Sequence, residues 1–168
     1  MAEKRGTEAQ IDMFRTRAGT PRRGAPEPGP VWTLFIDGGA RGNPGPAGAG
    51  AILYDGKGLK IAGMRWPLGR ATNNTAEYEG LIRGLEMAVT AGAKRLEVRS
   101  DSELIIRQMR GEYRVKAPHL IKAAARAREA LAGLAEVVFT SIPREDNREA
   151  DQLANQAMDE VEGKGGKS

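Results

Sequence analysis

Four acidic residues stand near the points where predicted strands and helices begin or end. Asp37 follows the apolar run "TLFI", Glu77 lies near the start of a long helical pattern, Asp101 follows a strand-like run, and Asp151 lies in the last helical segment. Carboxylates that gather in one place repel one another unless a cation lies between them, and Mg²⁺ or Mn²⁺ is the usual cation for all-oxygen ligands. The four acids therefore predict a divalent-metal site.

Three of these acids also have a purely structural interpretation. Glu77 comes three residues after Asn74, a spacing close to a capping box. Asp101 has the position of a cap for the helix that follows it, and Asp151 is a residue type that favours the first turn of a helix. Asp37 differs, because a carboxylate at the end of an apolar strand gains nothing from the strand and is costly when it is buried alone.

The elements that must position these acids follow from the apolar periodicity. It predicts five strands and four helices in the order βββαβααβα, an α/β domain with a mixed five-stranded sheet. The clearest helix runs from Asn73 to Ala91 with Gly92 as its C-cap, and Pro118 marks the first turn of a later one. Strands that are parallel neighbours would bring Asp37 and Asp101 to one edge of the sheet.

Two glycines follow the first acid directly. Gly38 and Gly39 would let the backbone bend away from the strand after Asp37 without a side-chain clash. The sequence therefore predicts that the first strand ends at this acid.

Composition limits the classes of protein that are possible. The 168 residues, 40% hydrophobic and 29% charged, suit one soluble domain. The absence of cysteine excludes disulfides, thiolate zinc sites and cysteine nucleophiles. No apolar run reaches the length of a membrane helix, and the first residues lack the apolar block of a secretory signal. We therefore expect a cytoplasmic protein without a membrane partner.

The positive charge is unevenly spread along the chain. Residues 1–30 hold six Lys or Arg against four Asp or Glu and are rich in proline and glycine, whereas residues 31–162 are formally neutral. We predict a flexible basic arm over 1–30, a folded domain over 31–162 and a disordered tail over 163–168. The arm is interpreted either as a linker or as an electrostatic tether to nucleic acid.

Four sequence blocks, in order, resemble the signature blocks of the type 1 ribonuclease H family, in its compact form without a basic protrusion that is found in archaea and some bacteria. Each block holds one of the four acids, and the resemblance spans roughly residues 31–160. The blocks read "FIDGGARGNPGPAGAG", "TNNTAEYEGLIRGLE", "VRSDSELIIRQMRGEY" and "PREDNREADQLANQA".

This resemblance implies a ribonuclease H-like fold with sheet order 3-2-1-4-5 and an endonuclease that hydrolyses the RNA strand of an RNA/DNA hybrid, leaving 5′-phosphate products. It also implies two Mg²⁺ ions, with Mn²⁺ as a possible substitute. Asp37 would bridge both ions, Glu77 and Asp101 would hold the ion near the attacking water, and Asp151 would hold the other. Two such ions can activate the water and stabilise the leaving oxygen.

The resemblance also implies residues that recognise the substrate. Positions matching Asn43, Asn73 and Asn74 contact the RNA strand in the minor groove, where 2′-hydroxyls are exposed. Thr72 matches a threonine that helps to hold a phosphate of the DNA strand. The alternative is that Thr72, Asn73 and Asn74 only cap the helix that they precede.

The chain departs from well-known members of the family in three places. Those members have a histidine in the loop before the last acid, whereas the only histidine here is His119, which we expect on a helix surface. Arg144 or Arg148 of that loop would take over part of its work by orienting phosphate or easing product release, because an arginine cannot accept a proton at working pH. The chain also lacks the tryptophan-bearing basic protrusion, and Glu103 stands where many relatives have glutamine.

Several alternatives stay open at the level of sequence. A nucleic-acid-binding module with weak or no catalysis would use the same fold, although it has no reason to keep all four acids. Some compact members also cut duplex RNA, and other metal-dependent nucleases or integrases share the fold. We expect a monomer, since the apolar helix faces can pack internally.

Overall fold

The computed structural model describes residues 29–163. The predicted arm, except Gly29 and Pro30, and the predicted tail, except Gly163, lie outside the described residues. Five strands and four helices occur in the predicted order: β1 (Val31–Ala40), β2 (Gly45–Tyr54), β3 (Lys60–Ala71), α1 (Asn73–Ala91), β4 (Arg95–Ser100), α2 (Glu103–Met109), α3 (Pro118–Ala130), β5 (Glu136–Ser141) and α4 (Arg148–Val161). Short 3₁₀ turns lie at Leu131–Gly133 and Arg144–Asp146.

The strands form one mixed sheet in the order β3-β2-β1-β4-β5, as expected. β1 pairs with β2 and β2 with β3 in antiparallel fashion, whereas β1 pairs with β4 and β4 with β5 in parallel. The parallel pairs need crossover connections, and the helices between β3 and β5 supply them. The α/β fold class predicted from the sequence is confirmed.

The sheet is covered by helices on both faces. On one face α1 packs so closely that a Cβ at Gly84 would lie 3.0 Å from Ile36 and 3.2 Å from Leu34. On the other face α4 approaches β2, where a Cβ at Gly48 would lie 2.6 Å from that of Ala157. Because successive strand residues point to opposite faces, β1 and β2 contribute to both layers.

Helix α1 is the long amphipathic helix that the sequence predicts, with the same bounds. The Thr72 hydroxyl caps its N-terminus by accepting a hydrogen bond from the Thr75 amide at 3.2 Å. At the other end Gly92 adopts a left-handed conformation with φ of 105°, which satisfies the last carbonyls. The buried face of α1, which includes Leu81 and Leu85, belongs to the main hydrophobic core.

The first strand is longer than predicted. β1 does not end at Asp37 but continues through Gly38 and Gly39 to Ala40, because these residues keep their antiparallel pairing with β2. The predicted bend after Asp37 is therefore wrong. In the part of the chain that the structure describes, no helix is long and apolar enough to cross a membrane.

Candidate active site

Two of the four acids meet because β1 and β4 are parallel neighbours. The register between these strands ends at Phe35 opposite Arg99. Asp37 and Asp101 each lie two residues beyond that last pair, on the same edge of the sheet. Their charges are close enough to act on each other, since the charge of Asp101 contributes to raising the pKa of Asp37, after the larger effect of burial.

Glu77 joins this pair because α1 crosses the sheet at very short distance. A Cβ at Gly38 would lie 2.3 Å from the carbonyl oxygen of Ala76, and a Cβ at Gly80 would lie 2.7 Å from that of Asp37. Only glycine permits this approach of helix to strand. Gly38 therefore serves to seat the residue before Glu77 against β1, next to Asp37.

Asp151 reaches the same place from the opposite face of the sheet. Gly50 is the β2 partner of Asp37, and a Cβ there would lie 2.6 Å from that of Leu153 on α4. The close contact puts the first turns of α4 against the sheet, so that the carboxyl group of Asp151 comes within hydrogen-bonding range of Asp37. The structure thus brings all four predicted acids together.

The proton affinities of two acids are strongly changed by this arrangement. Burial, together with the neighbouring carboxyl groups of Asp101 and Asp151, raises the pKa of Asp37 from 3.8 to about 8. Burial also raises the pKa of Glu77 from 4.5 to about 7; a hydrogen bond with Ser102 opposes this shift, and the charge of Asp101 adds to it. These pKa values mark carboxylates that lack a nearby cationic partner.

The acids open onto a groove that suits a divalent cation. A cavity of about 530 Å³ is bordered by Asp37, Glu77 and Asp101, and an adjoining one by Asp37 and Asp151. Within residues 29–163 no three carboxylate or imidazole side chains are already arranged as the ligands of one ion. The donor set still fits Mg²⁺ or Mn²⁺, because all four groups are oxygen ligands. A cation would favour the charged forms of Asp37 and Glu77, whose pKa values are raised first by burial and then by neighbouring carboxyl groups.

The structure shows which of the acids have the purely structural roles that their positions allow. The N-cap of α1 is Thr72, so Asn74 and Glu77 do not form its capping box. The N-cap of α2 is Ser102 rather than Asp101. Asp151 does lie in the first turn of α4, where an acidic residue is favourable. For this residue the structural role and a position at the site are therefore compatible.

Two of the predicted substrate residues meet beside the acids. Asn43 lies in the exposed turn after β1, and its side-chain oxygen accepts a hydrogen bond from the Asn73 amide at 3.0 Å. The Asn73 side chain in turn donates to Glu77 Oε1 at 3.2 Å. These contacts connect the exposed turn to the acid cluster through the first residue of α1.

The other predicted substrate residues lie around the same groove. Thr72 caps α1, as its structural alternative states, and Asn74 follows in the first turn. Arg144 is exposed and borders both cavities of the acid cluster. Binding of nucleic acid by these residues stays a prediction.

The exposed turn that carries Asn43 is anchored to the far end of α4. Arg41 forms ion pairs with Asp159, at 2.6 Å, and with Glu162, and also bonds to the side chain of Asn155. The partners are more than a hundred residues away in sequence, so nothing in the local pattern could reveal the contact.

The structure also shows where two residues that depart from the family pattern lie. His119 is exposed on the first turn of α3, as expected, and does not border the acid cavities. Glu103 does border the groove, and Arg107 donates a hydrogen bond from Nε to its Oε1 at 2.8 Å, in an ion pair that also places Nη2 at 2.7 Å from that oxygen. The extra negative charge at the rim is therefore offset within its own helix.

A buried residue that the sequence analysis did not single out also touches the site. Asn147, the N-cap residue of α4, is 1% exposed. Its side-chain amide donates to the backbone oxygen of Ile36 at 2.9 Å and lies 3.5 Å from Asp101 Oδ1. A lone asparagine in a polar loop gives no sequence signal of burial.

Comparisons with known proteins place this site in context. A family model described as "Reverse transcriptase-like" matches residues 35–157. Ribonuclease HI of Halobacterium salinarum is 43% identical over 127 residues, which is 76% of this chain and 64% of that protein. The crystal structure of RNase H1 from the same organism superposes with a TM-score of 0.75 at 42% identity, covering 77% of this chain and 98% of that one.

Two further relatives have the same fold. The N-terminal RNase H domain of Rv2228c from Mycobacterium tuberculosis gives a TM-score of 0.77 at 42% identity, covering 79% of this chain and 96% of that one. LC11-RNase H1, solved in complex with RNA/DNA hybrid, gives 0.73 at 44% identity and covers 77% and 98%. The match spans only 35% of the full bifunctional protein Rv2228c, with 45% identity over 127 residues.

Proposed function

Because the chain belongs to the type 1 ribonuclease H family, we propose that it is an endonuclease that hydrolyses the RNA strand of RNA/DNA hybrids with two divalent metal ions. The observation that carries this proposal is the meeting of Asp37, Glu77, Asp101 and Asp151 around two adjoining cavities that share Asp37. Asp37 and Glu77 there have pKa values raised to about 8 and about 7. A degenerate binding module would have no use for such a costly set of acids.

The positions of the four acids indicate which of them would hold each of the two metal ions. Asp37 is central, because Asp101 lies beside it after β4 and Asp151 contacts it from α4, so it is suited to bridge two ions. Glu77 and Asp101 border one cavity, and Asp151 borders the adjoining one. Bound Mg²⁺, or Mn²⁺ in its place, supplies Lewis-acid stabilisation of the developing charge and lowers the pKa of the attacking water.

The hybrid would be recognised beside the acids by Asn43 in the turn after β1 and by the two asparagines at the start of α1. Asn43 and Asn73 are joined by a hydrogen bond of 3.0 Å, and Asn73 also contacts Glu77. Amide side chains both donate and accept hydrogen bonds, so they suit the 2′-hydroxyl and base edges of an RNA strand. Asn74 follows Asn73 in the helix, and Thr72 would hold a phosphate of the DNA strand near the N-terminus of α1.

Arg144 would act on phosphate rather than on protons. Its guanidinium is exposed at the border of both cavities, and no ion pair of its side chain occurs among the described residues. An arginine stays charged and cannot serve as a base, so it would orient the scissile phosphate or assist release of the 5′-phosphate product. We also propose that the enzyme is a cytoplasmic monomer; its four acids all lie around adjoining cavities of one chain and need no residue from a second copy.

A substrate panel tests the proposal. The full chain is incubated with Mg²⁺ and, separately, Mn²⁺ on end-labelled RNA/DNA hybrid, duplex RNA, duplex DNA and single strands. Cleavage of the RNA strand of the hybrid to 5′-phosphate products is expected. Equal cleavage of duplex RNA would indicate a broader ribonuclease, and hybrid binding without cleavage under both metals would indicate a binding module.

A further inference from the structure

Asn147 makes contacts at or next to three of the four acids: Asp37, Asp101 and Asp151. Its side-chain amide donates to the oxygen of Ile36, the residue before Asp37, and lies 3.5 Å from the Asp101 carboxylate. Its own backbone oxygen accepts a hydrogen bond from the Asp151 amide at 3.1 Å. One buried residue therefore joins β1, the segment after β4, and α4.

The orientation of the Asn147 side chain is dictated by its neighbours. The oxygen of Ile36 and the carboxylate of Asp101 are both acceptors, so only the NH₂ group can face them. β1 and β4 stop pairing at Phe35 and Arg99, and the amide donates to the very next residue of β1. Asn147 thus extends the connection between these strands up to the acids.

Neither packing nor helix capping accounts for an asparagine here. Asn147 is the N-cap residue of α4, yet its side chain makes no capping hydrogen bond. Its Oδ1 atom is buried and has no hydrogen-bond partner among the described residues. Leaving a buried polar atom unpaired is costly, and an apolar residue of similar volume would avoid that cost. The contacts of the NH₂ group remain as the reason for this residue type.

We propose that Asn147 is a positioning residue for the metal site: its amide fixes the Asp101 carboxylate relative to the end of β1 and the start of α4. The inference rests on the proposed function, since it assigns the acids to cation binding. Groups that orient metal ligands typically contribute about 10- to 100-fold in metal affinity or activity when they are removed. Asn147 would act on cation binding and turnover and leave hybrid affinity almost unchanged.

The experiment compares cation binding in the wild type and three full-length variants, with Asn147→Ser as a fourth variant for rescue. Asn147→Asp removes the donor and adds a like charge beside Asp101, and Asn147→Ala removes the donor alone. Arg110→Met is the matched control, because Arg110 also donates from a buried side chain to a strand carbonyl, that of Phe139 at 2.9 Å, away from the four acids. Mn²⁺ binding is measured by calorimetry without nucleic acid, and thermal unfolding is recorded for each protein.

The expected result is Mn²⁺ binding weakened at least about 10-fold in both Asn147 variants and unchanged in Arg110→Met at similar thermal stability. In hybrid cleavage, kcat should fall in the Asn147 variants while KM stays within about twofold of the wild-type value. Unchanged Mn²⁺ affinity in Asn147→Ala would overturn the inference. If Asn147→Asp does not fold, Asn147→Ala and Asn147→Ser, which restores a hydroxyl donor, decide the question by loss and partial rescue.

Failure of the proposed function gives a different pattern. In that case the wild-type protein does not cleave the hybrid under Mg²⁺ or Mn²⁺, while the calorimetric comparison still reports on the positioning of the acids. Cleavage by the wild type together with equal cation affinity in all variants would instead contradict the assignment of Asn147 alone.

Discussion

The acids of α4 fall into two groups with opposite surroundings. On the side towards β3 and the turn after β1, the acids are paired: Glu160 with Arg65 at 2.5 Å, Asp159 with Arg41 at 2.6 Å and Glu149 with Lys60 at 3.2 Å. Asp151, on the same helix, instead contacts Asp37 within a cluster of carboxyl groups. The same chemical group is therefore ion-paired on one side of the helix and placed among other carboxyl groups on the other.

The difference lies in the charge of the partner and in access to water. The paired acids are at least partly exposed, and such ion pairs contribute only about 0–1 kcal/mol each. Asp37 and Glu77 are largely buried and lie near other carboxyl groups, so their charged forms are disfavoured, and the pKa of Asp37 rises to about 8. A fold carries such a cluster at a cost in stability, which is typical of a site kept for chemistry.

Neutralising the central acid should give the largest effect. We expect Asp37→Asn to reduce hybrid cleavage to background, because the residue best placed to bridge two ions loses its charge. In metal-free buffer the same variant should be as stable as the wild type or more stable, since folding no longer buries a titratable group beside Asp101 and Asp151. Thermal unfolding in chelator and a cleavage assay measure the two effects. A variant that loses activity only because it unfolds would contradict this account of Asp37.

A matched pair of substitutions on one helix tests the comparison directly. Asp151→Asn should lower cleavage by orders of magnitude without loss of stability in chelator. Glu160→Gln, which removes one carboxylate charge of the paired group, should leave cleavage unchanged and lower the free energy of unfolding by about 1 kcal/mol or less. Denaturant unfolding and initial cleavage rates are compared for both. Equal effects of the two variants on cleavage would remove the distinction between the groups.

The two groups should also give opposite dependences of stability on pH. The folded chain keeps a proton on Asp37 up to about pH 8, whereas the unfolded chain releases it near 3.8, so the folded state binds more protons in between. The free energy of unfolding in chelator should therefore fall as pH rises through that window, and through 4.5 to about 7 for Glu77. Saturating Mg²⁺ should flatten this fall, because a cation favours the charged carboxylates.

Glu149 should give the opposite dependence of stability on pH. Its hydrogen bond with Tyr54, and to a smaller extent the one with Lys60, lower its pKa. Its contribution to stability is therefore fully present above its ordinary pKa of 4.5 and is lost as pH falls through the lower pKa of the folded state. Tyr54→Phe should reduce stability at neutral pH slightly and reduce the loss on acidification. Urea unfolding from about pH 3 to about pH 8 gives both curves; a wild-type stability in chelator that rises from about pH 5 to about pH 8 would contradict the account.

The smallest effect is expected at the single histidine. His119 is exposed on α3 and does not border the acid cavities. His119→Ala should therefore change neither the cleavage rate nor its pH profile. A loss of cleavage near neutral pH in this variant would show that His119 replaces the loop histidine of other family members.

Much of this arrangement could be predicted from the sequence because its signals are local. The periodicity of α1, with Thr72 before it and Gly92 after it, determines its bounds, and four acids at element boundaries indicate the site. The extension of β1 through Gly38 and Gly39 could not be predicted, because glycine is a poor strand former and only the pairing with β2 holds it in the strand.

Contacts between residues far apart in sequence could not be predicted either. Asn147 reaches Ile36 across 111 positions, and Arg41 reaches Asp159 across 118. Neither residue belongs to an apolar period, and both lie in polar stretches that resemble solvent-exposed loops. Burial and pairing of such residues depend on where the helices dock, which a local pattern does not specify.

The central claim is that the clustered acids hold the metal ions that support cleavage. It is tested most directly by the initial rate of RNA-strand cleavage in a labelled RNA/DNA hybrid, measured against Mg²⁺ concentration for the wild-type chain and Asp37→Asn. We predict a saturable, Mg²⁺-dependent rate in the wild type and none above background in the variant. Cleavage by the wild type in chelator, or retained turnover in Asp37→Asn, would contradict the account.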